Sequence, residues 1–106
     1  MNDAAVKKND IGVITNILVN QYGPIEKIIL FGSRASGEAD EYSDLDLIII
    51  KKTDQRFVRR LIEVPSLPVS ADVFVYTPEE FETMKENENP FIMSALKNAK
   101  IIYEKQ

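Results

Sequence analysis

The stretch DLDLIIIK, residues 44–51, carries the strongest strand signal in the chain. Alternate residues of a β-strand point to opposite faces of the sheet. Both faces of this stretch are largely apolar: one carries Leu45, Leu47 and Ile49, and the other carries Asp46, Ile48 and Ile50. A strand that is apolar on both faces is typical of a position inside a sheet, with helices covering each side. We therefore predict that this stretch is a central strand.

The segments on either side of this strand alternate between helical and extended patterns. Gly23-Pro24 ends a first helix, and Thr77-Pro78 and Asn89-Pro90 begin later ones. Apolar spacing predicts helices over residues 3–22, 34–39, 54–63, 77 onward and 89–99, and strands over 27–31, 69–76 and 100–104. This order predicts an α/β (α+β) fold, with one small, mostly mixed sheet flanked by helices. Residues 1–106 are predicted to form a single domain.

Composition excludes several kinds of chemistry. The chain of 106 residues has no cysteine and no histidine, so thiol nucleophiles, the usual zinc sites and Ser-His-Asp triads are excluded. Carboxylate ligands favour hard cations, of which magnesium is the commonest near phosphates. The net charge of -4 argues against tight, nonspecific nucleic-acid binding. The sequence lacks an apolar run of about 20 residues and a signal-peptide pattern, so we expect a cytoplasmic protein without a membrane span.

Three aspartates lie in or beside predicted strands. Asp44 and Asp46 are two residues apart, so their carboxylates share one face and can converge on divalent cations. Asp72 is the only acid within the apolar strand over residues 69–76. If the two strands are neighbours, all three carboxylates meet on one surface. Alternatively the aspartates are structural acids, compensated by Lys51, Lys52 or an arginine.

Gly32-Ser33 follows the strand predicted over residues 27–31. A strand that ends in glycine, followed by a serine at a helix start, presents free backbone N–H groups and a hydroxyl to a phosphate. Arg34 can add a phosphate contact, or it is an exposed surface charge. Gly-Ser is also an ordinary turn dipeptide, and this interpretation stays open.

The combination of these elements resembles a known signature. Gly32-Ser33, ten further residues and then Asp44-Leu45-Asp46 resemble the signature of the polymerase-beta-type nucleotidyltransferase superfamily. The stretches FGSRASG (residues 31–37) and SDLDL (residues 43–47) resemble its minimal nucleotidyltransferase branch, and Asp72 lies on a later strand, where that family has its third carboxylate. The resemblance implies a nucleotidyltransferase fold.

The resemblance also implies a reaction and a partner. Asp44, Asp46 and Asp72 would be the catalytic carboxylates of a two-metal Mg²⁺ site, and Gly32, Ser33 and Arg34 would bind the phosphates of ATP or another NTP. An NMP, in the first instance AMP, would pass to an acceptor hydroxyl. Members of this branch often pair with a HEPN-type protein as the antitoxin of a toxin–antitoxin system. A hetero-oligomer with such a partner is therefore expected.

Other functions compete with this one. The chain could neutralise a partner by occlusion, without catalysis. A receiver domain of the response-regulator kind is also small and acidic, but its acid pair follows the first strand and not a Gly-Ser turn. Transfer to a small antibiotic is disfavoured because the chain offers little for a second substrate lobe.

Two further sets of residues are predicted to be structural. Arg56, Arg59 and Arg60 are expected to form a solvated helix face. Four apolar residues are expected in the core: Phe81, Phe91, Ile92 and Leu96.

Overall fold

The computed structural model describes residues 8–32, 35 and 45–106, with residues 8–10 described by their backbone alone. Its helices and strands, in chain order, are α1 (Lys8–Gln21), β1 (Lys27–Phe31), β2 (Leu45–Ile50), α2 (Phe57–Ile62), β3 (Ala71–Tyr76), α3 (Pro78–Glu86), α4 (Pro90–Ala95), a 3-10 turn (Leu96–Asn98) and β4 (Lys100–Glu104).

The four strands form one sheet in the order β3-β2-β1-β4. β1 pairs antiparallel with β2 and with β4, whereas β2 and β3 are parallel. The sheet is therefore mixed, and β2 has a strand on each side. This confirms the predicted α/β architecture and the internal position of the apolar strand.

Each face of the sheet has its own hydrophobic cluster. Ile14 and Leu18 of α1 are fully buried against a face that includes Leu45, Leu47 and Ile49. On the opposite face, Phe81 of α3 and Ile92 of α4 pack with Ile48 and Ile50. The alternation of side chains predicted for β2 is confirmed. Phe81 and Ile92 are buried as expected, and Phe91 and Leu96 pack half-buried at the margin of the same cluster.

Several predicted boundaries were wrong by a few residues. α1 ends at Gln21, where the Tyr22 N–H closes the last turn on Leu18 O at 2.8 Å. The predicted strand over residues 69–76 begins at Ala71, because its pairing with β2 begins there. The helix predicted over 54–63 is only six residues long, and the one over 89–99 tightens into a 3-10 turn after Ala95. Residues 3–7 and most of the helix predicted over 34–39 lie outside the described residues.

Capping interactions accompany the helix starts predicted at Thr77-Pro78 and Asn89-Pro90. Thr77 Oγ1 accepts from the Glu80 N–H at 3.1 Å, and Glu80 Oε1 accepts from the Thr77 N–H at 2.9 Å, which completes a capping box. At α4, Asn89 Oδ1 accepts from the Ile92 N–H at 3.2 Å. These short polar contacts were readable from the sequence because each involves residues three positions apart.

Arg60 departs from the predicted solvated face, although Arg56 and Arg59 are exposed as expected. Its side chain is 7% exposed and forms a bidentate pair with Glu80, with N···O distances of 2.7 and 3.0 Å. It also donates to the carbonyls of Val75 (3.1 Å) and Gln55 (2.8 Å). The pKa of Glu80 is lowered, chiefly because Arg60 donates hydrogen bonds to its carboxylate. Arg60 therefore ties α2 to β3 and to the start of α3.

Tyr22 extends this network to α1 and β2. Its hydroxyl donates to Arg60 O at 2.7 Å, and its own carbonyl accepts from Lys51 Nζ at 2.7 Å. Lys51 Nζ also lies 3.6 Å from the centroid of the Tyr22 ring, a cation–π distance. Burial raises the pKa of Tyr22 and lowers the pKa of Lys51. Tyr22, at the end of α1, thus links the backbone of Arg60 in α2 to Lys51 at the end of β2.

Replacing Arg60 with alanine is expected to lower the free energy of unfolding by about 2–3 kcal/mol. The variant leaves two carbonyls without their donor, whereas the half-exposed Glu80 carboxylate can be hydrated. Urea unfolding followed by circular dichroism measures the change. Arg59→Ala, on the exposed side of the same helix, is the matched control and should change stability by less than about 0.5 kcal/mol. Equal effects of the two substitutions would contradict the structural role of Arg60.

Candidate active site

Two of the predicted carboxylates lie side by side on the sheet. Asp46 and Asp72 are direct register partners in the parallel pair of β2 and β3. Phe31 of β1 is the register partner of Asp46 on its other side. Paired residues of adjacent strands lie roughly 4.8 Å apart and point to the same face. Phe31, Asp46 and Asp72 therefore form one row across the face that α3 and α4 cover further along.

This row marks the border of the hydrophobic core. Asp46 is half-buried and Asp72 is exposed, whereas the next row along the same face contains Ile48, which is fully buried, and Phe74. Asp46 has interactions of its own within the folded chain. The carboxylates are thus supported by the core at one side and open towards solvent at the other.

Gly32, directly after β1, packs against the Asp46 carboxylate. Its φ of +77° lies in the left-handed region that favours glycine. A Cβ built at this position would collide with Asp46 Oδ2 and would lie 3.2 Å from Asp46 Cγ. The Ala35 N–H donates to Gly32 O at 3.1 Å. The backbone at Gly32 therefore approaches the predicted metal ligand as closely as a residue without a side chain allows.

Three other predicted site residues lie outside the described part of the chain. These are Ser33 and Arg34, which follow Gly32, and Asp44, which precedes β2. Within residues 8–32, 35 and 45–106, no three acidic side chains form a group suited to a metal ion. Of the six predicted site residues, the structure therefore brings together Gly32, Asp46 and Asp72.

The sequence of this chain matches one family model over nearly its whole length. The model is described as "Polymerase beta, Nucleotidyltransferase" and matches residues 13–106, a range that contains Gly32, Asp46 and Asp72. The chain belongs to the polymerase-beta nucleotidyltransferase family. The resemblance carried by the Gly-Ser and Asp-Leu-Asp motifs is thereby confirmed.

Two curated relatives share shorter stretches with this nucleotidyltransferase. A protein of Methanocaldococcus jannaschii, provisionally named a protein adenylyltransferase, is 48% identical over 44 residues, which are 41% of this chain and 44% of the relative. A protein of Haemophilus influenzae, also provisionally named a protein adenylyltransferase, is 38% identical over 55 residues, which are 52% of this chain and 47% of the relative. The matches thus span less than half the length of each relative.

Two crystal structures share the fold. A provisionally named nucleotidyltransferase from Sulfolobus solfataricus superposes with a TM-score of 0.65 at 19% identity, over 92% of this chain and 79% of that one. A toxin–antitoxin structure with AMP-PNP superposes with a TM-score of 0.61 at 16% identity, over 91% of this chain and 74% of that one. At such identities the likeness concerns the fold, and it confirms the predicted nucleotidyltransferase fold.

The donor atoms of this nucleotidyltransferase suit a hard divalent cation. Asp46 and Asp72 offer carboxylate oxygens from adjacent strands, which is the ligand chemistry that Mg²⁺ prefers. Asp44, two residues before Asp46 in the sequence, is the predicted further ligand. The residues that the structure places at this border therefore fit a metal site, with the Gly32 backbone beside it.

Lys51 is not the charge partner of the half-buried Asp46 carboxylate. Lys51 follows the opposite end of β2, about 16 Å along the strand from Asp46 at the usual rise per residue. Its ammonium group contacts the carbonyl and the ring of Tyr22. Lys51 is thus part of the Tyr22 network and not a partner of the candidate active site.

An aromatic cluster borders the carboxylates on the core side. The Phe91 ring lies 5.7 Å from the Phe31 ring in an edge-on arrangement and 4.9 Å from the Phe74 ring. Phe31 is adjacent to Asp46 in the sheet, and Phe74 is two residues beyond Asp72 on the same face. Such packing limits the access of water to this side of the carboxylates. The position of Phe74 could be inferred from strand alternation, but its contact with Phe91 could not.

The described residues include no helix that is both long and apolar enough to cross a membrane.

Proposed function

We propose that this chain transfers an NMP, in the first instance AMP from ATP, to a hydroxyl group of a protein partner in a magnesium-dependent reaction. The observation that carries the proposal is the registered pair Asp46–Asp72 with the backbone of Gly32 packed against Asp46. Nucleotidyl transfer needs carboxylates that hold divalent cations next to a backbone that phosphates can approach. Family membership supports the same reaction class.

Each site residue has a role in this proposal. Asp44 and Asp46 would hold a divalent cation, and Asp72 would be a further ligand and would accept the proton of the acceptor hydroxyl. Magnesium, when bound, neutralises charge on the phosphates. The Gly32 backbone, the Ser33 hydroxyl and Arg34 bind the phosphate oxygens. The acceptor oxygen forms a bond to the α-phosphorus, and the bond from the α-phosphorus to the departing pyrophosphate breaks.

We further propose that the partner is a HEPN-type protein and that the chain acts as the antitoxin of the pair. The provisional names of the two relatives, both protein adenylyltransferases, support a protein acceptor. The toxin–antitoxin structure that shares the fold, with AMP-PNP, supports a partner and a nucleotide of the adenosine kind. In this proposal the chain is a single cytoplasmic domain that forms a hetero-oligomer with its partner.

A transfer assay tests this function. The purified chain is incubated with the protein encoded beside it and with each of the four α-labelled NTPs, with and without Mg²⁺. We expect label on the partner from ATP, and none after chelation of the metal. Absence of label from every nucleotide, although the two proteins form a complex, would contradict the proposed transfer.

A second candidate function is neutralisation of the partner by occlusion. Exposed apolar side chains on α2 favour it, since Val58 and Ile62 are each 67% exposed and such surfaces bind proteins. Substituting both Asp44 and Asp46 with asparagine discriminates between the two functions. Loss of neutralisation while the complex still forms supports catalysis. Neutralisation that survives both substitutions supports occlusion.

A further inference from the structure

A groove between α2 and β3 has one of the candidate active-site residues, Asp72, in its lining. Its volume is about 370 Å³. Most of the described side chains that line it are apolar, including Leu61, Val64, Leu67, Ala71 and Val73. Asp72 is the only charged residue among those described lining residues. The groove therefore lies at the edge of β3 beside Asp72, whose side chain is on the opposite face of the sheet from Ala71 and Val73.

The outer edge of β3 forms one wall of this groove. On the inner side, Ser70 O accepts from the Leu45 N–H at 3.1 Å and Tyr76 O accepts from the Lys51 N–H at 3.0 Å. Backbone groups that bond to the same neighbouring strand belong to alternate residues. The backbone N–H and C=O groups of the even-numbered residues of β3 therefore bond to β2. Those of the odd-numbered residues face away from β2, at the outer edge of the sheet. In agreement with this, Val75 O accepts from Arg60 Nη1 at 3.1 Å.

This alternation leaves Ala71 and Val73 with backbone groups that face the groove. Within the described ranges, β3 pairs with β2 and with no other strand. An N–H and a C=O repeated at every second residue match the spacing of an extended polypeptide. A small molecule does not offer this repeat. The strand edge therefore selects a peptide chain, and the apolar lining selects apolar side chains at alternate positions of that chain.

We infer that an extended segment of the protein partner, with apolar residues at alternate positions, binds in this groove as an added strand on β3 and brings its acceptor hydroxyl to Asp72. This inference rests on the proposed function and names the surface that recognises the acceptor. Strand addition gives affinity through main-chain hydrogen bonds and specificity through alternate side chains. A residue of the added strand that lies beside Asp72 and points to the same face would place its hydroxyl next to that carboxylate.

Selection from a random peptide library tests the inference without knowledge of the partner. Peptides of about 10 residues, the upper length of an ordinary strand, are displayed on phage and selected on the immobilised wild-type chain in the presence of a chelator. We expect enrichment of sequences with apolar residues at alternate positions. No enrichment above an empty support would overturn the inference.

Matched variants assign the binding to the groove. Leu61→Asp places a charge in the lining and should weaken binding of the enriched peptides at least about tenfold. Ile62→Asp, its more exposed neighbour outside the lining, should leave binding unchanged. Val73→Pro removes an outward N–H without removing a bond to β2 and should weaken binding to a similar degree, with its fold checked by circular dichroism. Equal binding by wild type and Leu61→Asp would overturn the inference.

Two further measurements separate this inference from its alternatives. If sedimentation equilibrium shows a dimer of the chain that Leu61→Asp dissociates, the groove binds a second copy and the inference is wrong. Enriched peptides that contain a hydroxyl are then incubated with α-labelled ATP and Mg²⁺. Binding without labelling would contradict the proposed transferase function but not the groove. Partner labelling by a chain that selects no peptides would contradict the groove but not the transferase.

Discussion

Replacing Asp46 with asparagine is expected to lower the rate of magnesium-dependent nucleotidyl transfer by at least about 1,000-fold. The substitution preserves the shape of the side chain and removes the negative charge at the centre of the row Phe31–Asp46–Asp72. A neutral amide is a poor ligand for a cation that must also bind phosphates. The rate of label transfer from α-labelled ATP, measured at saturating Mg²⁺, gives the size of the effect.

The control for this experiment is Asp54→Asn. Asp54 is an exposed acid beyond the far end of β2, so its removal changes the net charge equally without touching the site. We expect its transfer rate to stay within about twofold of the wild type, in line with the small effects of surface substitutions. Transfer by Asp46→Asn within tenfold of the wild-type rate would contradict the metal-binding role of Asp46.

Replacing Gly32 with alanine is expected to lower the transfer rate by about 100-fold, the scale of loss that a misplacement of about 1 Å causes. The new Cβ would occupy the space of Asp46 Oδ2, and the φ of +77° is strained for any residue with a side chain. Either the carboxylate or the backbone at Gly32 must then move. Because the change acts on position, it should affect the rate far more than it affects the free energy of unfolding, which we expect to fall by about 1–2 kcal/mol.

Gly12→Ala is the matched control for Gly32→Ala. Gly12 lies within α1, is exposed and has no atom within 4 Å of an added Cβ. Alanine in a helix is more favourable than glycine by roughly 0.5–1 kcal/mol, so this variant should be slightly more stable and equally active. Urea unfolding and label transfer are measured on both variants. A fully active Gly32→Ala would show that the contact between Gly32 and Asp46 has no part in the reaction.

The central strand and its two faces were predictable because their signal is local. A run of apolar residues with Asp46 at its start determines which side chains share a face, whatever the rest of the chain does. The same alternation placed Asp72 on the face of Phe74. The two aspartates are register partners only because β2 and β3 are neighbours in the sheet. The sequence did not establish the order of the strands, so this pairing was predicted only for the case that the two strands are adjacent.

Contacts between distant residues were not predictable. Arg56, Arg59 and Arg60 look alike in the sequence, and only the packing of α2 on β3 brings Arg60 to Glu80, 20 residues later. Its burial depends on that pairing, since a guanidinium group is costly to bury alone. The contact between Gly32 and Asp46 is likewise between residues that are distant in the sequence, one directly after β1 and the other on β2. The glycine indicated a tight turn, but its neighbour was set by the antiparallel register of β1 and β2.

The most direct test of nucleotidyl transfer at the Asp46–Asp72 site compares two labels of ATP in one assay. The chain and its partner are incubated with Mg²⁺ and with ATP labelled either at the α-phosphate or at the γ-phosphate, using wild type and Asp46→Asn. The proposed reaction predicts that α-label appears on the partner, that γ-label is released as pyrophosphate, and that Asp46→Asn does neither. Appearance of γ-label on the partner, or α-label transfer that is unchanged in Asp46→Asn, would contradict it.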